Sequence, residues 1–250
     1  MTAASSIRSR LLLLGAVLLT GGACRSEACD EWTERVDRLQ GPARVELVTY
    51  GAVDDGEWVL FSDSLIADCS LRAHLSRFTG NVVRGTSQNA DDVNAVRGHS
   101  GTLVNALMSV WPTSGKRFPG EDGAFRAQLS SLLVRPELEV SAMRPLLSKI
   151  IKDDGLTGEI AYALMSRPDP ALRPEIARFV EISEAGVTDA NIFAVAILQR
   201  LGDDVRSLVE ALSRRDDLSQ TKRDVVLVLL EKSRAGEQPS WDDLSDLEHE

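Results

Sequence analysis

The chain has 250 residues, 43% of them hydrophobic and 26% charged, enough for one sizeable core or two modest ones. Aromatics are only 5%, so the core must rest on Leu, Ile, Val and Ala. A formal net charge of -10 argues against a nucleic-acid partner and against adhesion to anionic lipid, since both need a basic face.

The first residues read as an export signal. Arg8 and Arg10 form a positive start, Leu11 to Leu19 an apolar stretch of nine residues, and Thr20, Gly21, Gly22 and Ala23 a run of small or polar residues before Cys24. The apolar stretch is too short to span a bilayer, which takes about 20 residues. The ending Gly21-Gly22-Ala23-Cys24 resembles the lipobox of bacterial lipoproteins, although Gly21 stands where that family usually has Leu or another aliphatic residue. The resemblance implies cleavage before Cys24 and acylation of Cys24, leaving residues 1–23 as the signal. It also implies a mature chain anchored in the cell envelope, several acyl chains together giving stable anchoring. Arg25, rather than Asp, after the cysteine points within that family to the outer membrane, facing the periplasm. Simple secretion and an uncleaved anchor are the alternatives.

Cys24, Cys29 and Cys69 are the three cysteines. An odd count in an exported chain needs an explanation, and lipidation of Cys24 leaves an even pair. Cys29 and Cys69 are then expected to bridge in an oxidising compartment. Pairing of Cys24 with Cys29, or a buried free thiol at Cys69, stays open.

Residues 24–120 are expected to be mainly helical. Helices are expected over Ala28–Leu39, within Trp58–Phe78 and over Val93–Trp111. A small hairpin across Asp54-Asp55-Gly56, pairing Val45–Tyr50 with Trp58–Phe61, is the competing expectation there. Pro112 to Gly123 is a loop by composition.

From about residue 121 to 234 the helical pattern repeats. Met143, Leu146, Leu147, Ile150 and Ile151 form one amphipathic stripe, and Val205, Leu208, Val209 and Leu212 another. Ala190 to Leu198 and Val225 to Leu230 are apolar almost all round, as befits helices inside a layered structure. Ala142-Met143-Arg144-Pro145-Leu146-Leu147 aligns with Ala171-Leu172-Arg173-Pro174-Glu175-Ile176, and Asp204-Val205-Arg206-Ser207-Leu208-Val209 is a weaker third copy. Arg144, Arg173 and Arg206 are 29 and 33 residues apart. Further helices are expected near 124–134, 157–166, 189–201 and 220–232. A period near 30 residues with two helices each marks an α-solenoid, because one helix pair cannot bury its apolar face alone. Pro145 and Pro174 fit in the first turn of a helix, where a missing N–H costs little. This stretch resembles the HEAT-repeat class. The resemblance implies an all-α fold, a right-handed α-α superhelix with a concave binding surface; an irregular helical bundle is the alternative. Residues 235–250 are either an acidic tail or a cap in which Trp241, Leu244 and Leu247 cover the last repeat.

No catalytic constellation emerges. Gly98-His99-Ser100-Gly101-Thr102 departs from a nucleophile elbow at Thr102. His74 lies in an expected helix and His249 in the tail. The paired acids Asp54-Asp55, Asp153-Asp154, Asp203-Asp204 and Asp216-Asp217 lack the alternating oxygen ligands of a calcium loop, and no His or Cys cluster has metal-ligand spacing. No cofactor is expected. Arg144, Arg173 and Arg206 either line an interaction surface or bond a carboxylate or carbonyl in the neighbouring repeat. The expectation is a non-catalytic envelope protein that holds another protein or peptide. A structural or assembly component, or an enzyme with its site in residues 26–120, are the alternatives.

Overall fold

The computed structural model describes residues 27–38, 61, 63–111, 130–183 and 186–249. Cys24 and the export signal, the expected hairpin up to residue 60, the 112–123 loop and most of the expected 124–134 helix lie outside the described residues. The protein is all-α. Among the described residues there are ten α-helices, and the only β pairing is one isolated bridge between Ser183 and Gly186. No helix of the described residues is long and apolar enough to cross a membrane.

The helices are α1 (Glu27–Arg38), α2 (Cys69–Arg84), α3 (Ala90–Gly98), α4 (Ser100–Val110), α5 (Val140–Asp154) and α6 (Gly158–Ser166). They continue as α7 (Arg173–Ala177, with a 3-10 turn on each side), α8 (Asp189–Arg200), α9 (Arg206–Ser213) and α10 (Gln220–Ala235). Two 3-10 turns, Trp241–Asp243 and Ser245–His249, follow. The disulfide joins Cys29 of α1 to Cys69 of α2, with Cα atoms 5.4 Å apart.

Two expectations are corrected. Val93–Trp111 is not one helix: it breaks at His99 (φ -136°), after Gly98, into α3 and α4. The break lets Asp92 face α2 while α4 turns to pack on α5. Pro145 is not in a first turn but is the sixth residue of α5. It is tolerated because it lies on the exposed face, where water can satisfy the Ser141 carbonyl it leaves unbonded. Pro174 does open α7.

Helix ends follow local chemistry. Asp68 caps α2 by accepting the Leu71 N–H at 2.8 Å, and Ser219 caps α10 through Lys222 N–H. Thr188 and Asn191 form a capping box on α8, and the Asn191 amide also donates to the Phe179 and Glu181 carbonyls. That side chain therefore fixes α8 to the end of the preceding turn. Gly236 ends α10 at φ 72°, a left-handed position suited to glycine.

From α5 onward the helices come in pairs, α5–α6, α7–α8 and α9–α10. The second helices begin at Gly158, Asp189 and Gln220, 31 residues apart. They contact one another in chain order, α6 with α8 and α8 with α10, and α5 contacts α7. The middle helix α8 is buried from Asn191 to Gln199 without a break, which explains its all-round apolar sequence. α10 is different: Val225, Val226, Leu229 and Leu230 are buried, while Leu227 and Val228 are exposed. The apolar run Val225–Leu230 therefore has one open side.

One continuous core runs from Phe61 to Leu247. α1 stands outside it. Its buried residues Ala28, Cys29 and Trp32 are held by the disulfide and by Arg72, whose guanidinium lies 4.1 Å from the Trp32 ring centroid.

Candidate functional site

The three periodic arginines occupy equivalent places. Arg144 Nε and Nη2 donate to Asp169 Oδ2 and Oδ1 at 2.8 and 3.2 Å. Arg173 donates to Asp203 Oδ2 at 2.9 Å and to the Leu201 carbonyl at 3.2 Å. Arg206 donates to the Ser233 carbonyl at 3.3 Å. Each bond joins the start of a first helix to the far end of its own second helix, at or beside the junction with the next segment. The hydrogen bond to Asp169 raises Arg144 above its ordinary value. A planar fork suits this task better than an ammonium would. All three side chains are at least partly exposed, yet each commits one or two donors within the chain.

A groove lies between α5 and α7. Ser148, Ile151 and Lys152 line one wall, and Glu175, Arg178 and Phe179 the other, around about 460 Å³. Ser148 Oγ donates to Glu175 Oε1 at 3.4 Å across it. Ile151 and Phe179 give the groove an apolar wall, while Lys152 and Arg178 are exposed. Among the described residues neither cation takes part in an ion pair. In a chain of net charge -10, two available cations beside an apolar wall suit an acidic segment with an apolar side chain.

A second, polar site lies where α1, α2 and α3 meet. Asp92 is fully buried and accepts from Arg77 Nε (2.7 Å) and Nη2 (2.8 Å), with His74 Nδ1 2.7 Å away. Arg77 Nη1 also donates to Glu31 at 2.6 Å. The Asp92 hydrogen bond holds Arg77 above its ordinary value against the opposing effect of burial. A cavity of about 330 Å³ beside this network is lined by Glu27, Ala28, Glu31, His74, Arg77, Asn89 and Asp91. Those residues carry acids, an amide, an imidazole and a guanidinium, but no hydroxyl or thiol nucleophile. The network clamps three helices together by charge-assisted hydrogen bonds. Among the described residues no group of three or more His, Cys, Asp or Glu is placed to hold a metal ion.

No protein-family model, curated protein or solved structure matches the chain.

Sequence reasoning placed Arg144, Arg173 and Arg206 at equivalent positions but did not find Lys152 and Arg178. Arg178 aligns with Lys149, Lys152 has no counterpart in the alignment, and only the packing of α5 on α7 brings Lys152 and Arg178 to one groove. It also missed the partners of His74, because Arg77 is 46 residues from Glu31 and 15 from Asp92. The usable signal was His74 and Arg77 three residues apart, on one face of the same helix.

Proposed function

We propose that this chain is an exported envelope protein, lipid-anchored at Cys24, whose helix pairs hold another protein or peptide. The pairs form a HEAT-like, right-handed α-solenoid, and the α5–α7 groove is the docking site. One observation carries this: a groove of about 460 Å³ lies between two first helices and offers Ile151 and Phe179 beside Lys152 and Arg178. The arginines of the repeat support it indirectly, because their bonds stiffen the pairs that form the groove walls. Rigid walls reduce the ordering cost of binding. The groove residues suggest an acidic partner segment with at least one apolar anchor. No reaction is assigned to the His74 cavity.

The test is retention of a partner from detergent-solubilised envelopes. The full chain is expected to retain a reproducible partner, and Lys152→Glu/Arg178→Glu is expected to lose it while keeping its helical spectrum. Equal retention by both proteins, or no partner with either, would remove the groove from the account. Intact mass of the membrane-extracted chain reads the anchor separately: loss of residues 1–23 with a gain of acyl mass is expected, and Cys24→Ala should abolish both.

A further inference from the structure

The segment after α10 lies across the helix row rather than extending it. An ordinary terminal cap would stack on the last pair, and much of this segment does pack on α10. Trp241, however, reaches back past α10. Its ring stacks on Phe193 of α8 at 6.0 Å between centroids and meets Tyr162 of α6 edge-on at 5.4 Å. Asp243 Oδ2 lies 2.7 Å from Lys232 Nζ of α10. Leu244 and Leu247 are buried. Trp241, Leu244 and Leu247 are three residues apart, so a 3-10 conformation, with three residues per turn, puts all of them on one side.

The segment is attached through side chains and not through backbone pairing. Among the described residues, the backbone hydrogen bonds of residues 240–247 are all local: Asp243 N–H to Ser240, Leu244 N–H to Trp241, and Leu247 N–H to Leu244. The segment is held to the helices by side chains: one aromatic anchor, two leucines and one ion pair. The ion pair is partly exposed, with Lys232 at 26% and Asp243 at 15%. Tyr162 is 40% exposed even with Trp241 against it. Just upstream, Gln199 donates to the Glu237 carbonyl and Arg200 to Gln238 at 3.1 Å, which ties down the connecting turn.

We infer that the face formed by Tyr162, Phe193 and Lys232 is a second docking site, separate from the α5–α7 groove, for an acidic segment carrying a Trp and spaced leucines, and that residues 240–247 occupy it in cis. The recognition chemistry is visible in the bound segment itself. An aromatic shelf takes an indole, an ammonium takes the carboxylate two residues later, and buried apolar surface takes the leucines. A partner segment of that chemistry competes with the tail. A tethered tail has an effective concentration in the millimolar range, so a free peptide is largely excluded until the tail is released.

The probe is a labelled synthetic peptide with the sequence of residues 239–250, added to the full mature chain. Trp241→Ala/Asp243→Lys/Leu244→Ser/Leu247→Ser in the full chain removes the aromatic and leucine anchors and repels Lys232, releasing the segment while leaving the face intact. The released variant is expected to keep its helical circular dichroism and to bind the peptide at least about tenfold more tightly than the wild type. A peptide with Ala in place of the Trp should not bind it, and adding Lys232→Glu should abolish binding. Lys152→Glu/Arg178→Glu should leave peptide binding unchanged, which separates this site from the groove. Equal affinity of wild type and released variant, or a folded released variant that does not bind, would overturn the inference. So would loss of helical signal on release, because the segment would then be part of the fold and not an occupant.

Discussion

Asp169 is almost wholly buried and joins two elements: it accepts the Arg144 fork from α5 and caps the turn before α7 through the Ala171 N–H at 3.0 Å. One carboxylate therefore fixes both the pairing within one unit and the start of the next. Asp169→Ala removes the ion pair and the cap together, at an expected cost of about 2 kcal/mol in chemical denaturation. Arg144→Ala keeps the cap but leaves the buried carboxylate without its counter-charge, so it should be clearly destabilising too. A neutral Arg144→Ala would contradict this assignment.

The Cys29–Cys69 bridge should act on α1 more than on the rest. The closed loop spans 40 residues, and cross-linking it contributes roughly 4 kcal/mol in the chain-entropy model. Outside the bridge, α1 is held by Trp32 beneath Arg72 and by Glu31 on Arg77. Hydrogen exchange of a Cys29→Ser/Cys69→Ser variant is expected to show lost protection in α1, with α5 to α10 unchanged. Uniform loss of protection through α10 would show instead that the bridge supports the whole core.

Gly186 is a sensitive backbone position. Its φ is +106°, and a Cβ there would lie 2.8 Å from Asp217 Oδ2. Asp217 cannot easily withdraw, since Arg215 holds it at 2.7 and 2.8 Å, and that contact lowers the carboxyl to about 2. Gly186→Ala is expected to lose more than about 1 kcal/mol in urea unfolding. A neutral result would mean that the backbone leaves the left-handed region and Asp217 moves aside at no cost.

The tail contact should weaken in acid. Burial opposes ionisation of Asp243, but the Lys232 ammonium and the Ser240 N–H and hydroxyl together hold its carboxyl below the ordinary 3.8. A depressed folded value gives a stabilising contribution that is complete above the ordinary value and lost as pH falls through the folded one. The indole N–H resonance of Trp241 should therefore shift in this range below pH 4, and Asp243→Asn should remove the shift. A resonance that moves equally in both proteins would assign the transition elsewhere.

Much of the helix order was readable because apolar periodicity and caps agree. Thr188, Ser219 and the runs after them locate α8 and α10 almost to the residue. The alignment of Arg144, Arg173 and Arg206 was readable too, since similar local sequence took up a similar place in each pair. Pro145 misled because its position relative to the helix start depends on Val140, whose helical state owes more to packing of α5 on α4 than to propensity. The split at His99 depends on where Asp92 must point, which no local pattern states. Lys152 with Arg178, and Trp241 with Tyr162, meet only through the stacking of helices, so spacing along the chain carries no trace of either pair.

The central claim, a partner held between α5 and α7, is read most directly by site-specific photo-crosslinking in intact cells. A crosslinking residue at Phe179 is expected to capture one adduct of defined mass. The same residue at Glu210, outside the groove, should not, and Lys152→Glu/Arg178→Glu should abolish the Phe179 adduct. Crosslinking at Phe179 that yields no adduct, or the same adducts as at Glu210, would contradict the account.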